Sequence, residues 1–276
     1  MKSENTTKRI SLFYLFAVPF LVASAGFGIG KISPAIYLPI WILNVMLMIS
    51  ACWTIGLNKF RTNRSQVNLL IGSFFLIVPW ILISMFFGIG PPPATATSWA
   101  ETATEQQIRY SMLTAAGIFI AFGFAFLKEK LNTDGEYFFS LLGIISIMIA
   151  IPLFILDMLF WGFTLTDSFR ILVSANADKL PEWFNPLRVL FGMISVVEVA
   201  LTYLAIAFFA VSMKRVGFIS SFSSKIYFLI SIFGFTVIVL SAFLPEPFVT
   251  AGFAVSIPAA PFLMPYFMGV NMLSKT

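Results

Sequence analysis

The chain has 276 residues, of which 59% are hydrophobic and only 11% are charged, and its mean hydropathy is +0.95. Soluble domains carry about 25% charged residues, so this composition excludes a soluble globular protein and predicts an integral membrane protein. In such a protein the net charge of +5 reflects basic loops on one side of the membrane and does not indicate a nucleic-acid partner.

Two residue types that carry much of enzyme chemistry are scarce. The chain has no histidine, and Cys52 is its single cysteine. The lack of histidine excludes bis-histidine haem sites, zinc proteases and serine–histidine relays. A lone cysteine cannot form an internal disulfide, and its apolar surroundings predict a packing role. The sequence therefore predicts no metal site and no cofactor.

Eight apolar segments are long enough to cross a bilayer, which takes about 20 helical residues. They cover residues 10–30, 36–57, 66–90, 108–127, 137–163, 186–213, 225–245 and 249–272. The predicted fold is all-α, one polytopic transmembrane domain over residues 1–276. Two of the connections are long, at residues 91–107 and 164–185.

The first segment has two interpretations. Lys8 and Arg9 precede an apolar stretch that ends in Ala23, Ser24 and Ala25, which is the pattern of a cleavable signal peptide. Cleavage would leave seven helices in the same orientation. The other interpretation is a permanent helix, because a closely similar sequence recurs in the interior of the chain, where no signal peptide can lie.

That recurrence indicates an internal repeat of helical hairpins. VPFLVASAGFGIG at residues 18–30 and VPWILISMFFGIG at residues 78–90 agree at seven of thirteen positions, and IPLFILDMLFWGF at residues 151–163 is a weaker third copy. In this alignment Ser24 and Ser84 occupy the position of Asp157. Parallel repeats are one way in which membrane carriers are built. The alternative is coincidence in a composition rich in Phe, Ile, Gly and Pro.

The even-numbered segments contain a fainter correspondence. The sequence NVML begins at Asn44, and EVAL begins at Glu198, at nearly equal distances before Lys59 and Lys214. If the hairpins are repeated, Asn44 and Glu198 occupy equivalent positions.

Lysine and arginine are distributed unevenly over the predicted loops. With the N-terminus inside, twelve of the 17 lie on the cytoplasmic side. The other five are Lys31, Arg109, Arg170, Lys179 and Arg188. The positive-inside rule therefore predicts a cell-membrane protein with both termini in the cytoplasm and both long loops outside. The tryptophans expected at the outer interface are Trp99, Trp161 and Trp183.

Two acids lie inside the predicted helices, Asp157 in the fifth and Glu198 in the sixth. An ionised carboxylate at the centre of a membrane helix costs about 2.5–3.5 kcal/mol on insertion scales, so each must be paired, hydrated or protonated. Because the fifth and sixth helices are antiparallel, we expect the two acids to lie within about two turns of each other.

Three interpretations of the acids follow. They share a proton, or they line a water-filled cavity that attracts a cation or a cationic substrate, or Asp157 forms a structural ion pair with Arg109. Glu198 lies deeper and has no obvious cation partner, which makes it the stronger functional candidate. Together with the repeat, the candidate substrate- or ion-binding residues are Asp157, Glu198, Asn44, Ser24 and Ser84.

The last segment contains three prolines, Pro258, Pro261 and Pro265. Each proline removes one helical hydrogen bond, and the carbonyls expected to be freed are those of Ala254, Ile257 and Pro261. Irregular backbone at membrane depth is tolerated where it is buried in protein or faces a wet cavity. The segment is therefore either a broken helix lining a pathway or a kinked packing helix.

These features favour a secondary transporter or channel-like carrier that uses the intramembrane acids as a proton or cation site. The alternatives are a non-catalytic sensor or scaffold and, third, an acid-dependent enzyme acting on lipid, for which no motif is present. A retinal photoreceptor needs a lysine well inside a late helix. Lys225 lies at the start of the seventh segment and the eighth segment has no lysine, so this class is excluded. The expected partners are the bilayer and a proton, small cation or small molecule, with the oligomeric state undefined.

Overall fold

The computed structural model describes residues 2–29, 31–56, 64–175 and 182–275. Within these ranges the chain is helical, with no strand. The α-helices are α1 (Lys2–Ile29), α2 (Pro34–Gly56), α3 (Arg64–Ser84), α4 (Phe86–Ile89), α5 (Ala96–Glu101), α6 (Ala103–Thr133), α7 (Phe138–Leu159), α8 (Leu165–Ser174), α9 (Phe184–Arg215), α10 (Ser221–Ser241), α11 (Phe248–Ser256) and α12 (Ala259–Lys275). A π-helical turn, Phe160–Thr164, joins α7 to α8.

The described residues form seven helical segments that are long and apolar enough to cross a membrane. An eighth span is present if α11 and α12, which meet at a bend of 42°, are counted together. The prediction of an all-α, polytopic membrane protein is therefore confirmed.

The helix boundaries in the structure differ most from the predicted ones at the two long connections, because each connection contains a short helix of its own. The side chain of Thr95 accepts a hydrogen bond from the Ser98 N–H, 3.2 Å away, and so caps the N-terminus of α5. In α8, Leu165 and Phe169 lie one helical turn apart and pack inward, whereas the Asp167 side chain is exposed. Apolar residues at helical spacing therefore fold part of each connection.

Consecutive spans pack as hairpins: α1 with α2, α3 with α6, α7 with α9, and α10 with α11. The hairpins are joined by contacts of α6 with α7, α9 with α10, and α12 with α3. All residues from 264 to 270 in α12 are buried, which covers every side of that helix. The Tyr266 hydroxyl also donates a 2.6 Å hydrogen bond to the Leu15 carbonyl of α1. The α12 helix therefore lies inside the bundle, with other helices around it.

One end of the bundle is closed by α5 and α8, which pack against each other; we call it the capped end. The Trp99 indole N–H donates a 2.8 Å hydrogen bond to the Thr166 hydroxyl and so joins the two helices. The Trp99 ring also contacts Tyr110, Trp161 and Phe169. With 4% of its surface exposed, Trp99 is part of the packed cap, whereas Trp183 is exposed.

At the opposite end Glu136 precedes α7 and joins it to α9. Its carboxylate accepts hydrogen bonds from the backbone N–H groups of Phe139 and Ser140, at 2.9 and 3.1 Å, and from the Ser212 hydroxyl of α9. Burial acts to raise the pKa of Glu136, but these hydrogen bonds to the charged form outweigh it and hold the pKa below its ordinary value. Glu136 is therefore a charged cap that ties two spans together.

The break between α11 and α12 occurs at Ile257, whose backbone is extended, as expected before a proline. Pro261 is the third residue of α12, a position where the N–H has no partner within a helix. The expectation that Pro261 frees the Ile257 carbonyl is wrong, because the Ala260 N–H donates to that carbonyl at 2.7 Å. Pro265 lies farther inside α12.

Candidate functional site

The structure brings the two intramembrane acids together on neighbouring helices. Asp157 lies near the end of α7, Glu198 lies within α9, and the side of each helix that carries its acid is buried. Only 2% of Asp157 and 4% of Glu198 is exposed. The two carboxyl groups interact electrostatically. We call these two residues the acid pair.

Asp157 has a hydrogen-bond donor from the helical segment that follows it. The indole Nε1 of Trp161 lies 3.1 Å from Asp157 Oδ1, and Ser195 of α9 lies near the same carboxyl group. Trp161 belongs to the π-helical turn that follows α7 directly. Single π-helical turns within longer helices occur frequently at functional sites. This turn places an N–H donor against the Asp157 carboxyl.

Glu198 is in a different environment, although it lies one turn after Ser195 on α9. Among the described residues its carboxyl group has no hydrogen-bonding partner, and Asp157 is the charged group that acts on it. No third histidine, cysteine, aspartate or glutamate in the described chain joins the pair to form a metal-binding cluster. The acid pair is thus asymmetric, with one hydrogen-bonded carboxyl group and one without donors.

Arg109 is held away from the acid pair. It donates a 2.6 Å hydrogen bond to the Gly90 carbonyl, and its guanidinium lies 5.7 Å from the centre of the Phe86 ring. Within the described ranges no ion pair joins Arg109 to Asp157. Successive side chains on a helix point in different directions. The residue of this helix that interacts electrostatically with Asp157 is the next one, Tyr110. The structure therefore gives no support to the structural ion pair.

Tyr110 also defines how closely the π-helical turn approaches α6. A Cβ atom added to Gly162 would lie 2.5 Å from the Tyr110 Cβ, far inside normal contact. Glycine at this position therefore lets the turn pack on α6 with Trp161 directed at Asp157.

The three polar residues suggested by the repeat lie elsewhere. Ser24 is exposed on α1. Ser84 accepts a 3.1 Å hydrogen bond from the indole of Trp41, and the Asn44 side chain accepts a 2.7 Å hydrogen bond from the Tyr14 hydroxyl. Each of these two bonds joins α2 to a neighbouring helix. The repeat itself remains a prediction, although α1, α3 and α7 each contain its proline: Pro19, Pro79 and Pro152.

The break in the last span lies against α9, the helix that carries Glu198. The Tyr203 hydroxyl donates a 2.9 Å hydrogen bond to the Val255 carbonyl, which the break deprives of its helical partner. Tyr203 follows Glu198 by five residues, or about 7.5 Å along the helix axis. The broken backbone is thus satisfied by protein and lies within about two helical turns of the acid pair.

Sequence reasoning expected Trp161 only as an interfacial residue, and it did not find Ser195, Tyr110 or the contact of Tyr203 with Val255. Helical spacing was the available signal for the first two, because Trp161 follows Asp157 by four residues and Ser195 precedes Glu198 by three. The other two act across helix interfaces, which a periodicity cannot reveal.

No protein family, curated protein or solved structure matches this chain. The chemistry of the site is therefore judged from its residues. Two buried carboxyl groups without a cation can share a proton or bind a dehydrated cation, since carboxylate oxygens are suitable ligands for both.

Proposed function

We propose that the protein is a secondary transporter or channel-like carrier that uses Asp157 and Glu198 as its proton or cation site. The observation that carries this proposal is a pair of buried, interacting carboxyl groups with no basic partner among the described residues. Ionisable residues at membrane depth are expensive and usually mark ion or substrate pathways. A proton or a cation removes the repulsion between the two groups.

The two acids have different roles in this proposal. Hydrogen bonds to a carboxylate favour its charged form, so Asp157, with the Trp161 indole as its donor, is the anionic member. Glu198 has no such donors among the described residues and is the member that takes up and releases the proton. A cation that replaces this proton binds between both groups.

The carrier lies in the cell membrane with the capped end outside and both termini in the cytoplasm. The uneven distribution of lysine and arginine supports this orientation. The cap of α5 and α8 then closes the outer side, and the acid pair is occluded beneath it. Ion exchange requires either this cap or the opposite end, at Glu136 and Ser212, to open.

A sensor or scaffold is the second candidate, favoured by the burial of both acids. The lipid-enzyme alternative receives no support from the neighbouring hydroxyl groups. Thr202 donates to the backbone carbonyl of Glu198 at 2.8 Å, and Tyr203 donates to Val255. Neither hydroxyl converges on the carboxyl groups as an acid-dependent mechanism would require.

Thermal unfolding of the purified protein from pH 5 to 9, with and without Na⁺, K⁺ and Ca²⁺, tests ion binding. A ligand that binds only the folded state stabilises it by about 2.7 kcal/mol at one hundred times its Kd. We expect the midpoint to depend on pH or on one cation, and this dependence to vanish in Asp157→Asn and Glu198→Gln. The matched controls, Asp167→Asn and Glu101→Gln, change exposed acids and should retain it.

Identical profiles in all five proteins would overturn the proposal. If Asp157→Asn alone is destabilised at every pH and is indifferent to ions, the acid is structural and the scaffold is the better account. Liposomes then separate the carrier from the sensor: a carrier moves the stabilising ion across the bilayer, and a sensor binds it without flux.

A further inference from the structure

A groove with a volume of about 370 Å³ lies on the side of the bundle, apart from the acid pair. Its floor is one face of α6, and its walls include Leu82 of α3 and Phe163 of the π-helical turn. All of its lining residues belong to segments that are long and apolar enough to span the membrane. The groove is therefore open towards lipid.

The polarity of the groove changes along α6. Thr104 and Gln107 line it near the capped end, Ile108 and Ser111 follow, and Met112 and Ala115 line it farthest from that end. These positions repeat every three or four residues and so share one face of the helix. From Thr104 to Ala115 the helix advances by eleven residues, or about 16 Å, close to half of a hydrocarbon core of about 30 Å. The length of the groove along α6 is thus close to the thickness of one leaflet.

We propose that this groove binds one acyl chain of a phospholipid from the leaflet at the capped end. The ester and headgroup region contacts Thr104 and Gln107, and the chain packs along Met112 and Ala115. This assignment follows from the match of the groove to a single leaflet in both length and polarity order. It does not depend on the proposed transport function.

The charges beside the polar end of the groove predict whether its affinity depends on the charge of the lipid headgroup. Glu105, between Thr104 and Gln107 in sequence, is paired with Lys31 at 2.9 Å. This pair is neutral, so it offers no net positive charge to an anionic headgroup. We expect phosphatidylcholine and phosphatidylglycerol with the same chains to bind with similar affinity.

The occupied groove also contacts the turn that serves the acid pair. Phe163 in its wall and Trp161, the donor to Asp157, belong to the same five-residue π-helical turn. An acyl chain packed against Phe163 therefore restrains the segment that positions Trp161.

Native mass spectrometry of the whole protein, purified from bilayers of defined phosphatidylcholine, tests the site. Ala115→Trp fills the end of the groove farthest from the cap, and Ala125→Trp, at an exposed position two to three turns farther along α6, is the matched control. We expect the wild type and the control to retain one phospholipid, and Ala115→Trp to bind it at least tenfold more weakly. Equal retention by Ala115→Trp, or no retained phospholipid in the wild type, would overturn the proposal.

A second measurement does not depend on how Ala115→Trp folds. A photo-crosslinking benzoylphenylalanine in place of Met112 should form a covalent adduct with phosphatidylcholine in nanodiscs. Crosslinking to a second copy of the chain instead would overturn the lipid assignment and identify the groove as a subunit contact. A strong preference for phosphatidylglycerol would contradict the neutral polar end.

Discussion

The Trp161 indole N–H donates a hydrogen bond to the Asp157 carboxyl group across 3.1 Å, from a turn of π-helix that begins three residues after that acid. The geometry of this turn gives Asp157 a donor that Glu198 lacks. The asymmetry of the acid pair is therefore built into the backbone of the span that carries Asp157.

Replacing Trp161 by Phe removes this N–H while keeping an aromatic ring. A hydrogen bond to a charged group contributes about 1.5–3 kcal/mol and favours the ionised form of Asp157. We therefore expect the affinity for a stabilising metal cation to fall at least about tenfold, and the affinity for a proton to rise. Ion-dependent thermal shifts measure this change. As the control, Trp183→Phe alters an exposed tryptophan and should leave the affinity unchanged. If both variants lost affinity equally, Trp161 would have no specific role in ion binding.

Glu136→Gln tests the link between α7 and α9 at the end opposite the cap. The amide loses the charge that accepts hydrogen bonds from Ser212, Phe139 and Ser140, and we expect unfolding to become easier by about 1–3 kcal/mol at pH 7. Chemical or thermal unfolding in detergent measures the difference. Glu129→Gln, an exposed acid near the same end, should have little effect.

The stabilisation by Glu136 should also depend on pH with a definite sign. Its folded-state pKa is lower than its ordinary value, so the stabilisation is complete above the unfolded-state pKa of about 4.3 and is lost as the pH falls through the lower, folded-state value. The stability difference between wild type and Glu136→Gln should therefore shrink on acidification below about pH 4.3. A difference that grows on acidification would contradict this account.

Tyr203→Phe should destabilise the break between α11 and α12. The variant leaves the Val255 carbonyl without the hydroxyl partner that lies at 2.9 Å, and an unsatisfied buried group costs about 1–3 kcal/mol. The midpoint of thermal unfolding gives the measurement. Tyr37→Phe is the control, because among the described residues the Tyr37 hydroxyl makes no hydrogen bond; an equal effect in both would remove the role assigned to Tyr203.

Gly162→Ala should disturb the π-helical turn. The added methyl group would lie 2.5 Å from the Tyr110 Cβ, so we expect a loss of about 1–3 kcal/mol of stability together with weaker ion binding. Gly192 in α9 has open space around its Cβ position, and there alanine should be neutral or stabilise by up to about 1 kcal/mol. Thermal unfolding of the two variants, with and without the stabilising ion, measures both the loss of stability and the loss of ion binding.

Hydropathy was sufficient to predict the helical membrane class and the eight apolar segments, because each helix must satisfy its own backbone within the membrane. It was insufficient for α5 and α8, whose mixed composition resembles that of a loop. These short helices are fixed by contacts such as that between Trp99 and Thr166, 67 residues apart in sequence. Such long-range contacts leave no periodic pattern in the sequence.

The proximity of Asp157 and Glu198 could be expected because consecutive spans are antiparallel and both acids lie on the same side of the bilayer centre. The direction of Arg109 could not be expected in the same way. A residue can have the right depth and still face another helix, and only the packing of α6 shows that Tyr110, not Arg109, is the neighbour that senses Asp157.

The central position of α12 has a consequence for how the protein is made. Of the described helices it is the last to leave the ribosome, yet the others pack around it. The earlier spans therefore enter the membrane before the helix that fills their middle exists, and they must hold a space for it or rearrange when it arrives. Folding of this bundle is thus completed only after synthesis of α12, and substitutions at Tyr266 should reduce assembly yield more than they impair membrane insertion.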